Sequence, residues 1–494
     1  MIGLSNYIYT TPPHQFKKRG CSMQIKKRGS DVKKRNEPVD EAKAKERIRR
    51  SLRYSILDAA GFSAASGFGD NYVSPFAIFL GATNMQIGLL RSVPRLLGAL
   101  FQLLAAEITD RLKKRKRIIL TAVLIQALCW LPMLLLPLLF PRLSFYFVLM
   151  FFSLYVIALE LTGPAWNSMM GDLVPANKRG RFFGYRNRVA GIITLASLVI
   201  AGLTLNYFSR VNTWVGFSIL FAVALLAKIF SLTMLSRMYE PEYVVSREHC
   251  FSFLDFIRRA RRSNFAVFVL YIGLINLTTQ IAGPFFNVFM LRELNFSYAR
   301  FMTISAASAF TSFALMYYWG RQGDVFGTKK IITITGLLIP IVPIFWLFSH
   351  NLAYLVLVNL FAGFVWAGFN ISAANFIFDA VTPPKRARCV AYYAFIIGVC
   401  VFLGATLGGV IAGQLKTSWI FFSRLQVIFL VSGLLRLAVT LFFIGRFREV
   451  RVVREVKTSR LFWQLLFLNP ALELRTSIAS GLSSVAKSSR RKRR

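Results

Sequence analysis

The chain of 494 residues is 55% hydrophobic and 15% aromatic, and only 17% of it is charged, with a mean hydropathy of +0.52. Soluble domains carry roughly 25% charged residues, so a water-covered globular surface is excluded and a membrane protein is indicated. The 61 Lys and Arg against 21 Asp and Glu leave a net charge of +40, which makes the location of the cations the first question.

A basic segment, residues 1–53, opens the chain. It is too long to precede a secretory signal core, so the first apolar run is expected to be retained. Twelve apolar runs follow, each near the roughly 20 residues that cross a ~30 Å hydrocarbon core as a helix. Spans 1 to 6 fall at 54–80, 85–109, 118–139, 144–170, 182–207 and 213–236, and spans 7 to 12 at 264–291, 298–319, 331–349, 352–378, 389–412 and 419–445. The alternating pattern of a β-barrel is absent, so the expected fold is an all-α membrane protein of twelve transmembrane helices. The predicted organisation is a basic tail (1–53), a first bundle (54–237), a linker (238–263), a second bundle (264–445) and a second basic tail (446–494). Within the linker, FSFLDFIRRARR reads as an interfacial amphipathic helix.

The tails and every second loop hold 49 of the 61 cations, whereas the opposite loops hold only Arg142, Arg210, Arg292 and Lys416. Lys and Arg are retained on the cytoplasmic side, so both termini are expected inside, as in a plasma or inner membrane. The excess charge is thus a topology signal. Anionic lipid headgroups are the expected neighbours of the tails, at roughly 1 kcal/mol per basic residue, and a nucleic-acid partner is disfavoured. Cys21, Cys129, Cys250, Cys389 and Cys400 form no paired motif, and His14, His249 and His350 lie in tails or loops. No disulfide framework, metal site or cofactor is indicated.

The two halves repeat each other. SPFAIFLGATN (74–84) in span 1 is echoed by GPFFNVFMLRELN (283–295) in span 7, with Pro75 answering Pro284. Asp110, Arg111, Arg115 and Lys116 after span 2 are echoed at an offset of 214 by WGRQGDVFGTKK (319–330) after span 8. At an offset of 207, Asp172, Arg179 and Arg181 after span 4 answer Asp379, Arg386 and Arg388 after span 10. Two six-helix bundles that both start on the same side are parallel repeats, pseudo-symmetric about an axis along the membrane normal.

On these motifs the chain, over roughly 54–445, resembles the major facilitator superfamily, whose signature between spans 2 and 3 is GxxxDRxGxRR. Gly320, Asp324, Gly327, Lys329 and Lys330 match it in the second copy, with Val325 departing; the first copy has Ala106 and Lys113 where the family has glycine. The resemblance implies an alternating-access permease, a symporter or antiporter, with spans 1, 4, 7 and 10 lining a central cavity. Acids at the basic ends, Asp110, Asp172, Asp324 and Asp379, beside cations such as Arg111, Arg181 and Arg388, read as latches that form charge-assisted bonds when the inner face is closed. The bland reading is that the basic residues only set orientation.

Residues three, four and seven apart share a helical face. By that rule span 1 carries the stripe Ser63, Ser66, Asp70 and Ser74, span 4 carries Glu160, Gly163 and Asn167, span 7 carries Asn276, Gln280 and Asn287, and span 10 carries Asn359, Gly363, Trp366 and Asn370. Spans 3 and 9 carry almost none, as lipid-facing supports would. An ionisable group at mid-membrane costs ~2.5 to 3.5 kcal/mol on insertion scales, so it is expected to be paired, wet or functional. Asp70, Arg95 and Glu160 lie near mid-depth and form the expected cluster, one that binds a polar substrate or takes a coupling proton, with a structural Asp70–Arg95 pair as the alternative. Lys228 and Arg436, on spans 6 and 12, are assigned to snorkelling or packing, and Arg91, Arg186 and Arg188 either face an anionic solute or reach headgroups.

Span 5 lacks the GPxxGG typical of proton-coupled drug antiporters, which sets multidrug efflux aside. No HExxH, GxSxG or phosphate-binding GxxxxGKS is present, so neither an enzyme nor primary transport is expected. The leading reading is a monomeric secondary transporter of a small organic solute, with mixed signs that admit a zwitterion, a sugar or an organic anion. The alternative is a non-transporting assembly factor or sensor on a transporter fold.

Overall fold

The computed structural model describes residues 38–112, 114–175, 179–241, 263–381, 383–414 and 423–451. Among them every regular element is helical. Residues Arg47–Arg494 group as one compact unit. The predicted amphipathic linker helix and most of both basic tails lie outside the described residues.

Spans 2 to 6 are the helices Asn84–Leu112, Arg115–Leu139, Ser144–Leu173, Arg179–Phe208 and Thr213–Ser236. Spans 8, 10, 11 and 12 are Tyr298–Phe326, Leu352–Ala380, Pro383–Gln414 and Arg424–Phe443. Ten of the spans are long and apolar enough to cross a membrane; spans 1 and 8 fall below that mark among the described residues. In span 8 the cause is the Ser, Thr and Tyr content of the uncharged stretch FMTISAASAFTSFALMYY, which lowers its hydropathy.

Span 1 differs most from expectation. Its helix starts at Pro38 rather than near residue 54 and runs to Phe68, is interrupted by a tight turn at Asp70–Tyr72, and resumes over Val73–Phe79. The early start follows from EAKAKERIRRSLR (41–53), whose residues are strong helix formers but too polar to register as hydropathy. At the interruption only glycine fits, because a Cβ on Gly69 would run into the Trp130 ring of span 3. Span 7 breaks at the matching place, Asn264–Ala282 giving way to Phe285–Val288 across Gly283 and Pro284, and ends in one wide turn at Phe289–Glu293. Span 9 is split as well, into Thr328–Leu338 and Ile341–Phe345, where Pro340 removes a backbone donor.

The core has three parts. One cluster joins both halves, with Tyr72, Phe76, Trp130 and Phe217 from the first and Phe285, Phe289, Trp346 and Phe429 from the second. The other two each belong to a single half, one around Phe268, Trp319 and Phe376 and one around Ile119, Met170 and Leu235. The halves therefore share a core towards the end away from the basic loops and keep separate cores towards the basic end. At the far end Arg292 donates to the carbonyls of Ala82 (2.6 Å) and Ile78 (3.3 Å), and the rings of Phe217 and Tyr298 meet at 5.9 Å. Spans 2 and 11 form one seam, where a Cβ on Gly88 would meet the Ala405 carbonyl oxygen at 2.7 Å and Thr406 donates to Ser92 at 3.2 Å. Spans 5 and 8 form the other, with Gly191 against the Phe313 ring.

Candidate functional site

The broken segments of spans 1 and 7 face each other across the two halves, and between them lies a cavity of about 280 Å³. Asp70, Asn71 and Ser74 line it from span 1, Arg91 from span 2, Phe152 from span 4, and Gln280 and Asn287 from span 7. Asp70, Gln280 and Asn287 are thus brought together as expected. Both breaks give the site its polarity, because the turn at Asp70–Tyr72 and the Gly283–Pro284 step end the regular helix beside the cavity.

Two acceptor atoms and one guanidinium on the lining make no hydrogen bond among the described residues. Asp70 Oδ1 and Gln280 Oε1 are buried and unbonded, and the Arg91 guanidinium makes no ion pair or hydrogen bond. The remaining lining amides differ. Asn71 Nδ2 donates to the Ser66 carbonyl at 2.9 Å, whereas the Asn287 side chain makes no bond among the described residues.

The expected Asp70/Arg95/Glu160 cluster is split in two. Arg95 pairs with Glu160 at 3.5 Å, while Asp70 sits beside Ser66 and Tyr155 and feels Lys228 more strongly than Arg95. The physical cause is the turn at Asp70, which takes the carboxylate off the regular face of span 1. Lys228 is fully buried rather than snorkelling. Its Nζ donates to Gln126 Oε1 at 2.7 Å and lies 4.4 Å from the Phe62 ring centroid and 5.3 Å from that of Tyr155. A turn-by-turn ladder on span 1 continues to Asp58, which accepts from Ser231 (2.6 Å) and from Arg186 (3.2 Å). Arg436 also fails to snorkel: at 2% exposure it donates to Ser432 Oγ (3.1 Å) and the Thr279 carbonyl (3.4 Å).

The other expected lining residues stand apart from the cavity. Asn276 donates to the carbonyl of Ile272 in its own helix, Trp366 packs on Phe369, and Asn167 and Asn370 are exposed. Gly363 is a close-packing position under the Ser308 carbonyl.

At the basic end the duplicated acids take different partners. Asp172 accepts from Arg115 at 2.6 Å, and that buried arginine also reaches Ser168 and the Pro241 carbonyl. In the second half the cation comes instead from beyond span 12: Arg451 bonds both Asp379 (2.8 Å) and Asp324 (2.9 Å). The Asp379 bond, with Asp324 assisting, raises the guanidinium above even its usual pKa. A repeat invisible to motif reading accompanies these pairs. Glu240 after span 6 accepts from the Lys116 backbone N–H (3.0 Å), and Glu449 after span 12 accepts from that of Lys329 (2.8 Å), so each caps the start of its own half's third span. Gly327 has φ of 93°, a conformation glycine adopts without strain, and Gly320 borders open space. The side chains of Asp110, Arg111, Arg181 and Arg388 lie outside the described residues.

Sequence reading missed the Lys228 ladder and the Arg451 clamp. A lone lysine among the 24 residues of span 6 was the available signal for the first; the second had none, since Arg451 sits in a run of tail cations.

Two broken helices, one from each of two pseudo-symmetric bundles, around a polar cavity define a polytopic transport protein of the alternating-access kind. The family model for the Major Facilitator Superfamily matches residues 59–279 and again 268–486, and the chain belongs to that family. Among solved structures, the nucleoside transporter NupG superposes with a TM-score of 0.60 at 15% identity, covering 81% of this chain and 100% of that one. The xylose transporter XylE from E. coli gives 0.60 at 14% identity, covering 83% and 100%. A bacterial homolog of the lysosomal transporter Spinster, in an inward-facing and unoccupied conformation, gives 0.53 at 16%, covering 81% and 94%. A multi-drug resistance efflux pump PmrA homolog from Lactococcus lactis subsp. lactis (strain IL1403) is 22% identical over 363 residues, 72% of this chain and 86% of that protein. The protein is a multi-pass membrane protein and a secondary transporter; its structural relatives are named as transporters.

Proposed function

We propose that the transported solute binds in the cavity between the broken segments of spans 1 and 7 and crosses as the halves, 54–237 and 264–445, rock about it. The single observation carrying this is the set of unpartnered polar groups, Asp70 Oδ1, Gln280 Oε1 and the Arg91 guanidinium, on one small cavity with walls from both halves. Asp70 Oδ1 and Gln280 Oε1 are buried without partners, which is costly, and a solute that supplies the missing bonds gives them a reason to persist. At about 280 Å³ the cavity lies just below the ~300 to 1,000 Å³ range of drug-sized sites. That size supports a small polar solute, in keeping with relatives named for nucleoside and xylose transport, rather than a bulky drug.

The cation distribution supports a cytoplasmic location for the basic end and both termini. On that orientation the shared core closes the outer face and the separate cores open the inner one, an inward-open state. Asp70 is the coupling carboxylate: a proton there cancels its charge against Lys228 and releases its hold on the solute. Glu160, neutralised by Arg95, is structural. The acids Asp172, Asp324 and Asp379 serve as hinge clamps within each half.

The test is flux into proteoliposomes. Asp70→Asn is expected to abolish proton-gradient-driven accumulation while solute exchange persists, and Glu160→Gln to retain accumulation. Full gradient-driven accumulation by Asp70→Asn removes the coupling role.

A further inference from the structure

The charges around the cavity do not balance, and the imbalance bears on what it takes. Arg95 is matched by Glu160. Asp58 pairs with Arg186 at 3.2 Å, and Asp70 and the buried Lys228 contribute one charge of each sign, which cancel in the sum without a direct bond between them. Arg91 has no carboxylate partner among the described residues, and neither does Arg436, which is buried behind the cavity wall on the carbonyl of Thr279, the neighbour of Gln280. Arg91 keeps exposed surface on the cavity side. Two guanidinium ions thus stand uncompensated at membrane depth, one in each half, where each unpaired charge costs ~2.5 to 3.5 kcal/mol on insertion scales.

We infer that the solute is a small hydroxylated organic oxyanion, a carboxylate or a phosphate monoester. The inference rests on the reading of this cavity as the transport site and extends it to a substrate class. The oxyanion group meets Arg91, whose planar fork of donors suits two oxygens at once. Hydroxyl groups of the solute donate to Asp70 Oδ1 and Gln280 Oε1, the two orphan acceptors. A neutral sugar satisfies the acceptors but leaves Arg91 unmatched. A zwitterion brings an ammonium among Arg91, Arg95 and Lys228 and leaves the site's net positive charge where it was. Its carboxylate and ammonium can reach the three groups, but only an anion carrying donors both answers them and lowers that net charge. Arg436 adds long-range attraction through the wall, in a medium where charge is poorly screened.

The experiment uses the full chain, purified in lipid nanodiscs, with thermal unfolding and calorimetric titration against gluconate, lactate, glycerol phosphate, alanine and xylose. Gluconate, lactate or glycerol phosphate is expected to raise Tm, because a ligand that binds only the folded state stabilises it; alanine and xylose are not. Stabilisation by gluconate or lactate assigns a carboxylate, and stabilisation by glycerol phosphate alone assigns a phosphate ester. Arg91→Gln is expected to weaken anion binding at least about tenfold, with Arg91→Lys recovering part of it. Should Arg91→Gln fail to fold, Gln280→Leu, which removes an acceptor and no charge, is expected to weaken gluconate more than lactate. Equal binding of xylose or alanine, no binding by any anion, or anion affinity unchanged in Arg91→Gln overturns the inference. Flux separates this inference from the transport reading beneath it. Anion binding without solute flux in proteoliposomes leaves the oxyanion site and removes the transport role, whereas flux of a neutral solute unaffected by Arg91→Gln does the reverse.

Discussion

Lys228 shows how one buried charge can organise a bundle. It is held by Gln126 and sits within the field of both Asp58 and Asp70, so removing it leaves Asp70 short of a cation while Asp58 keeps Arg186. Breaking a buried charge network from one side costs about 3 to 5 kcal/mol. Lys228→Met is therefore expected to lower Tm sharply, and Asp70→Asn in the same molecule to restore part of the loss; a double-mutant cycle on unfolding measures the coupling. Additive losses would mean that Lys228 packs without balancing Asp70. At this scale the sequence was legible where a polar residue interrupts an apolar face, as at Asp70, Gln280 and Asn287. It misled where partner choice depends on a turn it could not resolve. Arg95 was expected beside Asp70 on helical spacing, and the break at Asp70–Tyr72 gives that role to Lys228.

At the scale of elements, the breaks and clamps matter more than the spans themselves. The echo of Pro75 and Pro284 marked where two helices depart from regularity, although the glycine required at the first break, Gly69 against Trp130, was readable only from packing. Span 1 was misjudged at its start because hydropathy does not detect a polar helix. Arg292 fastens the far ends of the halves by bonds to Ala82 and Ile78. A charge-assisted bond of this kind contributes about 1.5 to 3 kcal/mol, so Arg292→Gln is expected to raise the population open at the far end by roughly tenfold. Thiol labelling of a cysteine at Ser74 from that side measures it, and unchanged labelling would show that the aromatic core alone closes the gate. Arg451 is different. At 36% exposure, with Asp324 at 67%, its pair with Asp324 is solvent-screened and contributes at most about 1 kcal/mol, whereas Asp379 is only 11% exposed. Arg451→Gln is accordingly expected to slow transport a few-fold with binding unchanged; a wild-type rate would reduce the clamp to a tether.

For the whole molecule, the repeat and the positions of the basic loops were enough to anticipate two six-helix bundles, because both are properties of long segments. Which face is closed was not legible, since it depends on how aromatic residues from distant spans share or divide a core. The merged core around Phe217 and Phe429 and the divided cores around Met170 and Phe376 describe one state of a molecule that must adopt a second. The most direct measurement is a pair of spin-label distances on the full chain in nanodiscs, Thr83 to Asn295 across the far end and Tyr185 to Val325 across the basic end. The account predicts two populations at each pair with opposite weights, the short far-end distance accompanying the long basic-end distance, and a rise of the reverse combination in Arg292→Gln. A single distance at both pairs, unmoved by Arg292→Gln or by solute, would contradict alternating access about this cavity.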